Sequence, residues 1–236
     1  MSNRFNDQLE KTMRGSGRPL GFGQYTTPVK KRLFIIAQAG DNDKGTTLPG
    51  IDAVFVPGAC QCRGEKSGVL HGCTGPAAAG CDFIVTDLNG AVDADPGEDT
   101  ARLLAIKDDL TDAQLRALTG LDTAAVIAAV ELGETLTFRE LLAVQRLADF
   151  SGKPVILNLP KLYSKIELQA LWHRGIAGVL VDSNSVDTAA LRELVDSLEP
   201  KKRDKDRMMA LAGVTANPAP AEADDEEPEI EPDTEG

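Results

Sequence analysis

The chain has 236 residues, of which 42% are apolar and only 4% aromatic, so it is long enough for one large domain with an aliphatic core. Its formal net charge of −12 disfavours nucleic-acid binding, and no stretch approaches the ~18 consecutive apolar residues of a membrane span. The polar N-terminus does not resemble a signal peptide. These features predict a cytoplasmic protein that binds neither nucleic acid nor membranes.

A basic arm is predicted over residues 1–31. Residues 1–32 carry seven basic and two acidic side chains, and Phe5, Leu9 and Met13 recur every fourth residue. This spacing predicts a short amphipathic helix that docks on the body of the protein. A glycine-rich linker, GSGRPLGFG, follows it.

Eight short aliphatic runs predict eight β-strands. The runs are apolar on both faces, which is typical of buried parallel strands. The first three connections are too short for full helices, and the third run, GVLHG, is the weakest. In chain order the predicted strands are residues 33–39, 53–58, 68–72, 82–88, 101–107, 123–130, 154–160 and 177–183.

Capping boxes mark the helices of the second half. In this pattern a Ser or Thr starts the helix and a Glu or Gln three residues later reaches back to it, while a glycine ends the helix. A fourth helix, after Ser185 or Asp187, is predicted from an apolar stripe at helical spacing. The three boxes and their closing glycines are Thr111 with Gln114 and Gly120, Thr137 with Glu140 and Gly152, and Ser164 with Glu167 and Gly175.

Strands that alternate with helices predict right-handed βαβ units, and eight of them within residues 32–200 predict a compact (β/α)8 TIM-like barrel, an α/β fold. Strand 1 should pair with strand 8, and the helices after strands 1–3 should be reduced. The succession GKPVILNLP, a helix and GIAGVLVDS resembles the last two strands of the aldolase-type TIM barrels. The resemblance is one of pattern and brings no diagnostic motif.

Beyond the barrel, residues 201–236 form a basic cluster, KKRDKDR, and then an acidic tail. The last 22 residues contain nine Asp or Glu and no Lys or Arg, with almost no large apolar side chain. This composition predicts disorder. Two interpretations remain, a solubilising extension or an acidic arm that shields the basic cluster.

In TIM barrels the chemistry lies where the strands end, at the C-terminal mouth. Asp87, Lys107 and Glu131 follow neighbouring strands, and a lysine between two carboxylates can handle a proton beside a carbonyl group. We therefore interpret these three as catalytic, with Lys107 central; the alternative is a solvated ion network. The predicted substrate-binding residues are Gln38, Asn89, Asn158 and Asp182.

The segment CQCRGEKSGVLHGC predicts a metal site. Cys60, Cys62, His71 and Cys73 supply the number and type of ligands that zinc takes, and strand ends were expected to bring them together at the mouth. The alternative is a tight turn of small residues. Cys81 was expected at the opposite end as an ordinary buried thiol.

Two functions remain open from the sequence. The first is a lyase-like or isomerase-like enzyme that acts on a small polar carbonyl substrate. The second is a non-catalytic, degenerate barrel that serves as an interaction or scaffold protein. Both predict that the N-terminal arm or a second subunit, in a homo-oligomer, covers the outer wall of strands 1–3. The glycine-poor loops after strands 7 and 8 disfavour a sugar-phosphate substrate.

Overall fold

The computed structural model describes residues 3–14, 32–39, 48–58, 68–74, 80–91, 97 and 99–199. The described residues as far as Glu199 belong to one compact unit. The basic cluster and the predicted acidic tail lie outside the described residues, and the disorder of the tail stays a prediction.

Eight parallel strands form a closed barrel in chain order. The ring closes where β1 pairs with β8, from Phe34 opposite Gly178 to Gln38 opposite Asp182. The predicted (β/α)8 TIM-like barrel is therefore confirmed. The strands are β1 (Phe34–Gln38), β2 (Ala53–Val56), β3 (Leu70–Thr74), β4 (Phe83–Asp87), β5 (Ala101–Lys107), β6 (Ala125–Ala129), β7 (Val155–Leu159) and β8 (Ile176–Asp182).

The third strand begins two residues later than its sequence suggests. Leu70 is its first residue and pairs with Ala53 of β2, while Val69 precedes the strand. Gly72 lies inside the strand against the ring of Phe83, and a Cβ at that position would approach the ring to 2.1 Å. The strand therefore needs a glycine there.

The helices start where the capping boxes predicted. In all three boxes the side-chain oxygen of the first residue accepts from a backbone N–H, and the Glu or Gln side chain reaches back to the first residue. Asp187, not Ser185, caps the last helix. The helices are α1 (Arg4–Arg14), α2 (Asp112–Ala117), α3 (Phe138–Ser151), α4 (Lys165–His173) and α5 (Thr188–Ser197), with a 3-10 turn at Leu118–Gly120 after α2.

Two apolar layers hold the barrel together. The inner layer fills the barrel with side chains such as Phe34, Phe55 and Ile127. The outer layer packs the opposite faces of the strands against α2 to α5, with Leu104 and Leu168 fully or almost fully buried. Because successive strand residues alternate between the two layers, membership of a layer shows which way each position faces.

Helix α1 closes the N-terminal end of the barrel. Phe5 and Leu9 are buried in the inner layer, and the Phe5 ring lies 5.5 Å from that of Phe34 and 5.1 Å from that of Phe83. Phe34 and Phe83 are the first residues of β1 and β4. The arm therefore packs across the bottom of the barrel, and not along the outer wall of strands 1–3 as expected.

The outer wall of the early strands is buried all the same. Val54, Cys73 and Ile84 face away from the inner layer, and each is 9% exposed or less in the single chain. These burial values do not require a second subunit to cover strands 1–3. The homo-oligomer therefore stays a prediction. Among the described helices, none is long and apolar enough to cross a membrane.

Candidate functional site

Lys107 lies at the mouth of the barrel, as the last residue of β5. It shares the inward side of that strand with Ala101 and Leu103, which belong to the inner layer. Its side chain is exposed, and in the described part of the chain it forms no hydrogen bond or ion pair. An exposed ammonium without a partner is available to a ligand at this position.

Neither neighbouring carboxylate contacts Lys107, because the three residues lie at different heights. Asp87 of β4 is paired with Ala105, two residues below Lys107, and Lys107 is paired with Ala129, two residues below Glu131. Two residues of a strand span about 7 Å. No direct hydrogen bond or ion pair joins Lys107 to either carboxylate, and the catalytic roles of these residues stay a prediction.

The carboxylate of Asp87 is bound to its own turn. Its Oδ1 accepts from the backbone N–H of Asn89 at 2.9 Å, and its carbonyl oxygen accepts from Gly90 N–H at 3.1 Å. Asn89 lies two residues beyond β4 and is exposed. Asp87 is thus positioned by the turn, whereas Glu131 is exposed and forms no bond with any described residue.

Gln38 and Asp182 are direct neighbours at the closure of the barrel, where they are opposite each other on β1 and β8. Asp182 accepts from the Asn184 N–H at 2.9 Å and from the Ser185 hydroxyl at 3.4 Å, so its carboxylate orders the loop after β8. Asn158 of β7 is exposed on the inward side and has no described partner. This side of the mouth offers two amides and one carboxylate.

One mouth residue was missed because β3 was placed too early. Thr74 is the last residue of β3 and shares the inward side of Leu70. Its Oγ1 accepts from the backbone N–H of Gly58 at 2.5 Å, which ties the loop after β2 to β3. The alternation of Leu70, Gly72 and Thr74 would have revealed it had the strand been extended by two residues.

The loop between β6 and α3 is held by the capping residues of two helices. Glu140 caps α3 and also accepts from the Gly133 N–H at 2.6 Å, while Glu167 caps α4 and also accepts from the Leu136 N–H at 3.0 Å. These bonds stabilise the carboxylates and lower the pKa of both; for Glu140 the bond to Thr137 has the largest effect, and for Glu167 the bond to Leu136.

Tyr163 also holds this loop in place through a hydrogen bond. Its ring is only 2% exposed, and its hydroxyl donates to the Gly133 carbonyl at 2.9 Å. Burial raises the pKa of Tyr163, and the negative charges of Glu140, Glu167 and Glu134 add to the effect. Tyr163 therefore orders the loop that follows β6.

Exposed apolar side chains lie beside this loop, at the mouth-side ends of two helices. Phe138 and Ile166 are each 82% exposed in the first turns of α3 and α4, and Leu142 is 67% exposed one turn further along α3. Single exposed apolar residues are common, but three on neighbouring helices form a patch that a partner can contact.

Two of the four predicted metal ligands are described, and neither faces the inside of the barrel. His71 and Cys73 occupy the outward side of β3, opposite to Leu70. Cys73 is a buried free thiol whose Sγ lies 3.4 Å from Sγ of Cys81. Cys60 and Cys62 lie outside the described residues, and within those described no three His, Cys, Asp or Glu form a cluster suited to a metal. Zinc binding stays a prediction.

Cys81 differs from its expected state. It is buried at 5% exposure as expected, but it is disulfide-bonded rather than an ordinary thiol.

The fold has counterparts among solved structures. Two variants of the tryptophan synthase alpha-subunit from the hyperthermophile Pyrococcus furiosus match with a TM-score of 0.53, at 15% and 14% sequence identity, and each match covers 71% of this chain and 97% of theirs. No protein-family model and no curated protein sequence matches the chain. At such low identity the likeness shows the fold alone. The chain therefore has the fold of the aldolase-type TIM barrels.

Proposed function

We propose that the chain is an enzyme that acts on a small polar carbonyl compound at the mouth of the barrel, by proton transfer or carbon–carbon bond chemistry. The observation that supports this most is Lys107, an ammonium on the inward side of β5 that has no partner among the described residues, at the end of the barrel where Asp87, Glu131 and the polar residues of β1, β7 and β8 also lie. Barrels of this type place their reactive groups at the same end.

In this proposal Lys107 donates a hydrogen bond to the substrate carbonyl oxygen and stabilises the negative charge that develops there. Glu131, which has no described partner, accepts the proton from the carbon beside the carbonyl group. Asp87 is held by its turn and is assigned to orientation of a substrate hydroxyl. Gln38, Asn158 and Asp182 then bind the remaining polar groups across the mouth.

A screen of the purified protein with small carbonyl compounds and hydroxy acids tests the proposal. The readouts are turnover and, by solvent deuterium incorporation, proton exchange at the carbon beside the carbonyl. We expect at least one compound to exchange or to be cleaved. A complete lack of turnover, exchange and saturable binding across the screen would contradict an enzymatic role.

The second candidate is a scaffold or interaction protein, and the apolar patch of Phe138, Leu142 and Ile166 favours it. If the patch binds a protein partner, replacing Phe138 and Ile166 by serine should abolish that complex and leave the barrel folded. If the protein is an enzyme, the same replacements should leave turnover unchanged. The two candidates are thus separated by one pair of substitutions.

A further inference from the structure

A groove lies at the end of the barrel opposite to the mouth, between α1 and Gly68, which lies two residues before the start of β3. It is lined by one face of α1, by Arg32 just before β1, and by Gly68. We propose that this groove binds a small oxyanion, a phosphate or a dicarboxylate, independently of the chemistry at the mouth.

The size of the groove suits such a ligand. Its volume is about 420 Å³, which falls within the range of small-molecule sites, roughly 300 to 1,000 Å³. A glycine leaves it open: a Cβ at Gly68 would meet no atom within 4 Å. The side-chain amide of Gln8 adds a hydrogen-bond donor along the helix, whereas the Thr12 hydroxyl already donates to the Gln8 carbonyl at 2.8 Å.

Three cations line the groove, namely Arg4, Lys11 and Arg32, against the single carboxylate of Asp7. Lys11 is exposed and forms no ion pair or hydrogen bond with the described residues. Its ammonium can therefore bind an anion without first losing a partner.

The two arginines are held in place by carboxylates at the strand starts. Arg4 Nη1 lies 2.8 Å from Asp82, and Arg32 Nη2 lies 3.2 Å from Asp52. Arg32 Nη1 also lies 3.6 Å from Asp196, so both arginines are already ion-paired, and Lys11 is the lining cation without a described partner. Each of the two strand-start carboxylates also accepts from a backbone N–H of a neighbouring strand, Asp82 from His71 and Asp52 from Ile35. These backbone bonds hold the two carboxylates in place at the strand starts. The carboxylates in turn orient the arginines at the groove.

Arginine has five N–H donors, so these contacts leave donors of Arg4 and Arg32 for a ligand. Together with Lys11 they give the groove three cationic side chains, which are the groups that bind phosphate and carboxylate. Because α1 supplies two of the cations and the strand side supplies the third, a bound anion ties α1 to the barrel. Binding should then raise the stability of the whole fold.

The test measures thermal unfolding and isothermal titration with inorganic phosphate in one arm and succinate in the other. Ionic strength is matched with chloride in both arms, because salt screens exposed charges. We expect saturable binding and a higher melting temperature in one or both arms, and the arm that responds identifies the source of the oxyanion. No effect beyond that of chloride in either arm would overturn the proposal.

Variants locate the binding to the groove. Lys11→Ala should weaken it about tenfold, the loss expected for one charge-assisted hydrogen bond. Gly68→Leu should block the groove while every charge stays in place, and Gly120→Leu is its control, because a Cβ at Gly120 also meets open space. Lys165→Ala is the control for lost charge. Binding that survives both groove variants would place the anion elsewhere and contradict the proposal.

Discussion

Lys107, like Lys11 and Lys165, has no hydrogen-bond or ion-pair partner among the described residues, but it alone of the three lies on the inward side of a strand. Lys161 is paired with Glu134 at 2.8 Å, and Lys153 donates to the Leu121 carbonyl at 2.8 Å, whereas Lys107 has neither kind of partner at the mouth. Its position at a strand end followed from the sequence. The missing contact with Asp87 and Glu131 did not, because the stagger between adjacent strands depends on how the barrel closes.

Tyr163 provides a test of the loop that follows β6. In the Tyr25→Phe variant Tyr163 is the only tyrosine, and we expect its phenol to ionise above the ordinary pKa of about 10 in a titration of ultraviolet absorbance. Because the pKa of Tyr163 is raised in the folded protein, the stability that its neutral phenol contributes is complete below pH 10. It is lost as the pH rises through the folded value. Ionisation at the ordinary pKa would mean that the ring is not buried in this way.

Cys73 provides a test of the cysteine segment. Since its side chain is fully buried, we expect it to resist thiol reagents in the folded protein and to react after unfolding. Elemental analysis of protein without a histidine tag addresses zinc in the same experiment. One zinc per chain that disappears in Cys73→Ser would support the predicted ligand set, and substoichiometric zinc in both proteins would contradict it.

At the scale of elements, local signals predicted the helices well, but they did not predict where α1 docks or where β3 begins. The three capping boxes depend on residues three positions apart, so neighbouring structure does not alter them. The place where α1 docks depends instead on rings far along the chain, Phe34 and Phe83, and no local pattern identifies such partners.

The capping boxes of α3 and α4 predict a dependence of stability on pH. The pKa of Glu140 and Glu167 is lowered in the folded protein, so their contribution to stability is complete above the ordinary pKa of about 4.5 and is lost as the pH falls through the lowered values. We expect the doubly substituted Glu140→Gln, Glu167→Gln protein to lose less stability between neutral and acidic pH than the wild type, measured by urea unfolding. Parallel pH profiles would contradict this assignment.

Helix α1 predicts a large effect of one aromatic side chain. Phe5 is fully buried against two rings, so Phe5→Ala should lower the free energy of unfolding by about 3–5 kcal/mol. Met13→Ala, at a partly buried position of the same helix, should cost clearly less and serves as the control. Urea titrations of the two variants make the comparison. Equal, small losses would show that α1 does not close the barrel.

For the whole molecule, counting strands and helices was enough to predict a closed barrel, because few topologies accommodate eight βαβ units. The same count says little about chemistry, since one barrel hosts many activities. The structure adds a difference between the two ends of the barrel. The mouth carries Lys107, which has no partner among the described residues, and the opposite end is closed by α1 beside a groove lined by cations.

The central claim, that the mouth around Lys107 is the functional site, is tested most directly by comparing kcat/KM of Lys107→Met with that of Lys165→Met on a substrate from the screen. Both variants lose an exposed ammonium near the same end of the barrel, but only Lys107 lies inside the mouth. The account predicts a fall of about 10² to 10⁴-fold for Lys107→Met, with the fold intact by circular dichroism, and no change for Lys165→Met. Wild-type kcat/KM in a folded Lys107→Met protein would contradict it.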